Sequence, residues 1–143
     1  MSNEVNESVM QDEQTSSGDE PPKRLYDLEE RTAKFGKAVI EFCKKLQVNE
    51  ITKRLIPQLV AAGTAIGSNY CEADCAESNK DFIHKMSIAN KEAKESKHFI
   101  RMLAKACTEH ITEARVLWKE AHELNLIFTT IIFKSKKRLP IGN

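Results

Sequence analysis

The chain has 143 residues with 22 lysines and arginines against 21 acids, a length that suits one hydrophobic core and hardly two. It contains no run of about 18 apolar residues, and no basic then apolar start, so a soluble, unexported, cytoplasmic protein without a membrane helix is expected. Six of the acids fall in residues 1–20 beside no lysine or arginine, which leaves 22 basic and 15 acidic residues after them, a net of +7 that favours anionic partners.

Residues 1–22, MSNEVNESVMQDEQTSSGDEPP, hold too little apolar surface to offset the entropy of ordering and read as a disordered acidic arm. Residues 23–143 read as the folded domain, with few glycines and apolar residues at helical spacing. The first helix is expected over Asp27 to Leu46, with Leu28, Phe35, Val39, Phe42 and Leu46 on one face. Asn49 suits the N-cap of a second helix that turns Ile51, Leu55, Leu59, Ala62, Ile66 and Ala73 inward, and Pro57 should kink it or delay its start. Within that helix Gly63 and Gly67 each cost about 1 kcal/mol relative to alanine, which a close helix crossing would offset.

Ser78 can cap a third helix, with Asp81 at the positive end of its dipole. Its core row is Phe82, Met86, Ala89, Ala93, Ser96, Ile100, Leu103 and Cys107, in alternating steps of four and three. The fourth helix, from about Thr112 to Lys136, repeats the pattern with Ala114, Leu117, Ala121, Leu124, Phe128 and Ile131. Four amphipathic helices with short connections make an all-α, antiparallel up-and-down four-helix bundle the economical architecture.

Offset by two residues from the core row of the third helix runs Lys80, His84, Ser87, Lys91, Lys94, His98, Arg101 and Lys105, without an acid. Two residues are about 200° of helix, so this row lies roughly opposite the core and forms a stripe about 37 Å long. A stripe of that length matches several phosphates of a nucleic-acid backbone, although a solvated face also carries lysine; faces that only solubilise usually mix signs. Lys134, Lys136, Lys137 and Arg138 add four cations in five positions, suited to phosphates and also to the negative end of a helix dipole. With Phe133 the only adjacent aromatic, stacking on single-stranded bases is not expected. A flanking row, Asp81, Lys85, Ile88, Glu92, Glu95, Phe99 and Met102, widens the apolar arc, either as a subunit interface or as the rim of a wide core.

An enzyme is not expected. Cys71 and Cys75 share a face, but no histidine stands at metal spacing from them; Cys43 and Cys107 also read as reduced thiols. Of Glu72, Glu92 and Glu95, only Glu95 has the histidine three residues on that a di-iron site requires, in His98. Neither a phosphate loop nor a nucleophile motif occurs, so no metal or cofactor is expected.

The stretch QLVAAGTAIGSNYCEADCAESNKDFIHKMSIANKEAKESKHFIRML, Gln58 to Leu103, resembles the bacterial four-helix-bundle proteins encoded in intervening sequences of 23S ribosomal RNA genes. The marks are Ile66-Gly67-Ser68-Asn69-Tyr70-Cys71-Glu72-Ala73, then Lys80-Asp81-Phe82-Ile83, then Ile88-Ala89 and Lys91-Glu92-Ala93-Lys94-Glu95. The resemblance implies a cyclic homopentamer. It also implies kinship with the accessory variability determinant of diversity-generating retroelements, which works with a reverse transcriptase and its template RNA. By the same resemblance Asn69, Glu72 and Glu95 are structural polar positions, Ala73 stands where many relatives carry glycine, and Phe99 keeps their aromatic. The expectation is a non-enzymatic, oligomeric accessory protein that binds RNA through Lys91, Lys94, His98, Arg101, Lys105 and the Lys134 to Arg138 cluster. The alternative is a protein-interaction scaffold that uses the apolar flank and the small-residue face.

Overall fold

The computed structural model describes residues 27–138; the acidic arm over 1–22 lies outside them. Four helices fill that range, α1 (Leu28–Lys45), α2 (Thr52–Asp74), α3 (Asn79–Ala106) and α4 (Ile111–Lys136), and no strand occurs among the described residues. A single 3₁₀ turn, Thr108–His110, leads into α4.

The first three helices each start where a side chain satisfies free amides. The Asp27 carboxylate accepts from Glu30 N at 3.3 Å, and the Ser78 hydroxyl accepts from Asp81 N at 3.0 Å. Ahead of α2, Asn49 Oδ1 accepts from the amides of Ile51 and Thr52, both at 2.9 Å, and its carbonyl takes the Lys53 amide at 3.0 Å. Asn49 therefore performs the capping expected of it.

One expectation about α2 is corrected, and of the two effects expected of Pro57 the delayed start does not occur. Ile51 does not turn inward but is 64% exposed, because the Asn49 turn points position 52 at the core instead. There the buried Thr52 hydroxyl donates to Gln47 O at 2.6 Å. Pro57 does not delay the helix, which begins five residues earlier and continues through it. Lys53 is exposed, so the carbonyl that loses its partner to the missing Pro57 amide stands on the water-facing side of the first turn.

Helices joined by the short connections pack as neighbours, and α1 closes the ring against α4. Cross-helix pairs run antiparallel on three of the seams. On the α1–α2 seam Thr32 faces Gly67 while Val39 faces Gly63; on the α1–α4 seam Arg31 reaches Glu120 while Lys45 reaches Glu113. Between α3 and α4, Asn79 bonds Ser135 O and Asn125 bonds Asn90.

The core is the set that the helical spacing selects, including Phe35, Val39, Leu59, Ile66, Met86, Ile100, Leu103, Leu124 and Phe128. Phe82, Leu55 and Ile131, expected inside, are partly buried at its rim. Burial of each large aliphatic or aromatic side chain contributes about 1.5–3 kcal/mol, which makes this seam the main favourable contribution to folding.

Buried polar side chains among the described residues all have partners. Thr32 donates to Leu28 O at 2.6 Å and Ser96 to Glu92 O at 2.8 Å, each within its own helix. Buried Asn125 bonds the Asn90 carbonyl at 3.1 Å and its side-chain oxygen; Asn90 in turn donates to Thr129 Oγ1 at 3.2 Å. This ladder fixes the register of α3 on α4, since a slip of one residue would leave buried amide groups unpaired.

Candidate nucleic-acid interface

The row offset from the core of α3 is on the surface along its whole length. Lys80, His84, Ser87, Lys91, Lys94, His98, Arg101 and Lys105 are all exposed. None of its five lysines and arginines forms an ion pair among the described residues. The carboxylates of α3 stand on the flank: Glu92 and Glu95 are half-buried there, and Lys85 on that flank pairs across the seam with Glu72 at 3.0 Å. Partial burial and, second, the charge of Glu95 push the Glu92 carboxyl above its ordinary value, against a pull downward from Lys91.

The C-terminal cluster lies near one end of α3. Lys134, Lys136, Lys137 and Arg138 are exposed, and the Asn79 amide donates to Ser135 O at 2.9 Å, which brings the end of α4 beside the start of α3 near Lys80. Lys137 Nζ lies 4.4 Å from the Phe133 ring centre, a cation–π contact that ties one of the four charges locally.

The residues expected at contacts between helices or subunits divide. Gly63 and Gly67 stand at the α1–α2 crossing, where a Cβ on Gly63 would meet Val39 Cγ2 at 2.9 Å and one on Gly67 would meet Thr32 Oγ1 at 3.3 Å. Close approach of the two backbones requires the missing side chains. Glu72 holds Lys85 of the next helix, whereas Asn69 bonds Ala65 O of its own helix at 2.8 Å. Phe99 packs against the core, with His98 edge-on to it at 5.2 Å; Ile88, Met102 and Glu95 are half-buried. The large exposed hydrophobes of the described residues lie elsewhere, at Ile40, Val48, Ile51, Ile111, Val116, Leu126 and Phe133.

One cluster was not singled out along the chain. Trp118 of α4 stacks on His122 with ring centres 5.0 Å apart, and Lys97 of α3 reaches both, 3.3 Å from His122 Nδ1 and 5.6 Å from the indole centre. Within α4 the i, i+4 spacing of Trp118 and His122 was a visible signal; their meeting with α3 was not.

All four cysteines are free, Cys43 and Cys107 buried and Cys71 and Cys75 exposed. Desolvation raises the thiols of Cys43, Cys71 and Cys107, Cys43 to about 11, with nearby carboxylates adding to the effect at Cys71 and Cys107. That is the reverse of an activated nucleophile. Among the described residues no three His, Cys, Asp or Glu side chains are grouped to hold a metal, and no helix is long and apolar enough to cross a membrane.

Comparison with known proteins supports the same architecture. A crystal structure of a protein of unknown function from the S23 ribosomal protein family of Bacteroides thetaiotaomicron VPI-5482 superposes with a TM-score of 0.64 at 26% identity. The match covers 73% of this chain and 96% of that one. No curated protein sequence matches. The family profile described as 23S rRNA-intervening sequence protein matches residues 26–130, from the cap of α1 to most of α4, and this chain belongs to that family.

Proposed function

We propose that this protein is a non-enzymatic, oligomeric accessory protein of the cytoplasm that binds RNA through its phosphate backbone. The observation that carries the reading is the α3 stripe: five exposed lysines and arginines in one row, uninterrupted by acid and unpaired among the described residues. Lys91, Lys94, His98, Arg101 and Lys105 supply its central contacts, and Lys134, Lys136, Lys137 and Arg138 extend it past Lys80. RNA as the polyanion is part of this proposal and is supported by the kinship with retroelement accessory proteins that the resemblance implies; the family's description refers to intervening sequences of 23S rRNA. Phosphate contacts give affinity with little sequence preference, which suits a chaperone or accessory role.

The cyclic homopentamer and the reverse-transcriptase partner implied by the resemblance belong to this proposal. Five copies of a weak stripe on one assembly would raise avidity by orders of magnitude without a new contact. Light scattering coupled to size exclusion tests both the assembly and the RNA binding: a pentamer that takes up RNA at low salt and releases it at high salt is expected. Lys94→Glu with Arg101→Glu should weaken binding at least tenfold for every RNA sequence and lower the salt slope by about 0.7–0.9 for each phosphate that is no longer neutralised. Unchanged affinity would remove the stripe from the site.

A protein-interaction scaffold is the second reading, favoured by the exposed Val116, Leu126 and Phe133 along α4. A partner retained after nuclease treatment, by a protein that ignores RNA at every salt, would select it.

A further inference from the structure

We infer that the groove between α3 and α4 at the Arg101 end of the stripe holds an unpaired base of the bound RNA, stacked against Trp118. The inference rests on the RNA reading above and adds to it a preference for single strands. The groove has a volume of about 350 Å³ and is walled by Trp118, with buried Ile100 and Ala114 beneath it. Arg101 and Arg115, both exposed, supply its charge, and no carboxylate lines it. Arg101 belongs to the α3 stripe, so a backbone tracking that stripe arrives at this groove.

The chemistry selects the occupant. An indole that lines the groove beside two guanidinium groups, free of ion pairs among the described residues, suits a flat aromatic ring that carries a phosphate on each side. Arginine is the residue for that task, because its planar fork both stacks on bases and bonds phosphate oxygens. In a duplex each base is already stacked and paired, so only an unpaired one can turn into such a groove. His122 covers Trp118 one helical turn further on and Lys97 steadies the pair, which holds the ring in place before the ligand arrives. Periodicity along α3 alone gives no stacking partner, which is why the sequence pointed away from base contacts.

Trp118 is the sole tryptophan of the chain, so its emission reports on this groove alone. The full chain is titrated at low salt with single-stranded oligoadenylate and, separately, with a GC-rich RNA duplex of equal length; fluorescent labels on the RNA follow binding. Oligoadenylate should quench Trp118 and the duplex should bind without quenching. Trp118→Leu and Arg115→Gln should each weaken oligoadenylate binding about tenfold and leave duplex binding unchanged. Because Trp118 also packs against the core, the quench in the unaltered protein decides the matter should Trp118→Leu lose helix content. Binding of both RNAs without quenching overturns the base pocket and leaves the stripe standing. Binding of neither overturns the stripe and the pocket together. A blue shift that grows with protein concentration and blocks quenching places a second copy in the groove, which also overturns the inference.

Discussion

Helix α1 is held on its two sides by different physics. Against α2 the backbones approach at Gly36, Gly63 and Gly67, and side chains fill the space: Val39 sits over Gly63 and Thr32 over Gly67. Against α4 the seam is more open. Arg31 forms a fork with Glu120, at 2.9 and 2.6 Å, and bonds Glu123 at 2.8 Å; Lys45 pairs with Glu113 at 3.1 Å at the other end. The first side depends on shape, which salt and pH leave alone. The second depends on charge, which solvent weakens in proportion to exposure.

Filling the tight side should have the largest effect. Gly63→Leu forces a branched side chain into the space of buried Val39 and should cost about 2–3 kcal/mol, read as a fall in the urea midpoint. The same seam contains its own control. At Gly36 a Cβ would meet its nearest atoms at 3.7 Å, ordinary contact distance, so Gly36→Ala should stabilise by about 0.5–1 kcal/mol through helix propensity. A destabilisation at Gly36 equal to that at Gly63 would mean that the crossing is uniformly tight.

On the charged side Arg31→Ala should cost about 1–2 kcal/mol, because the guanidinium is about a quarter exposed, makes three charged hydrogen bonds and separates two carboxylates one turn apart. Hydrogen bonding to Glu120 foremost, then both carboxylate charges, raise the Arg31 pKa against an opposing effect of burial. Lys45→Ala should change stability least, by about 0–0.5 kcal/mol, since both members of its pair are about half exposed, and the change should vanish in high salt. A large, salt-insensitive destabilisation at Lys45 would mean that its alkyl stem packs on the bundle and that the seam is less open than its charges suggest.

The same division between near-neighbour pattern and distant meeting marks what could be read along the chain. Steps of three and four placed Val39, Ile66, Met86, Leu103 and Leu124 inside, because the helical period fixes a face whatever lies opposite. Ile51 failed for a local reason, the Asn49 cap, which rotates the first turn of α2. Buried Asn125 and Ser135 were passed over as polar; Asn125 donates through its side chain to Asn90, and Ser135 accepts through its backbone carbonyl from Asn79, both on α3. Arg31 gave no signal because its carboxylates lie some ninety residues away.

By itself, then, the sequence determined the four helices, their inward faces, the acid-free row from Lys80 to Lys105 and the family of Gln58 to Leu103, all properties carried by residues within a few turns of one another. Tertiary structure alone decided which helix lies beside which row. It set Glu120 before Arg31, brought Ser135 to Asn79 so that the end of α4 lies beside the start of α3, and put Trp118 and Arg115 beside Arg101. The reason is physical: a helical period fixes the angle of a side chain about its own axis, whereas the register between two helices is settled by the interlocking of both surfaces at once.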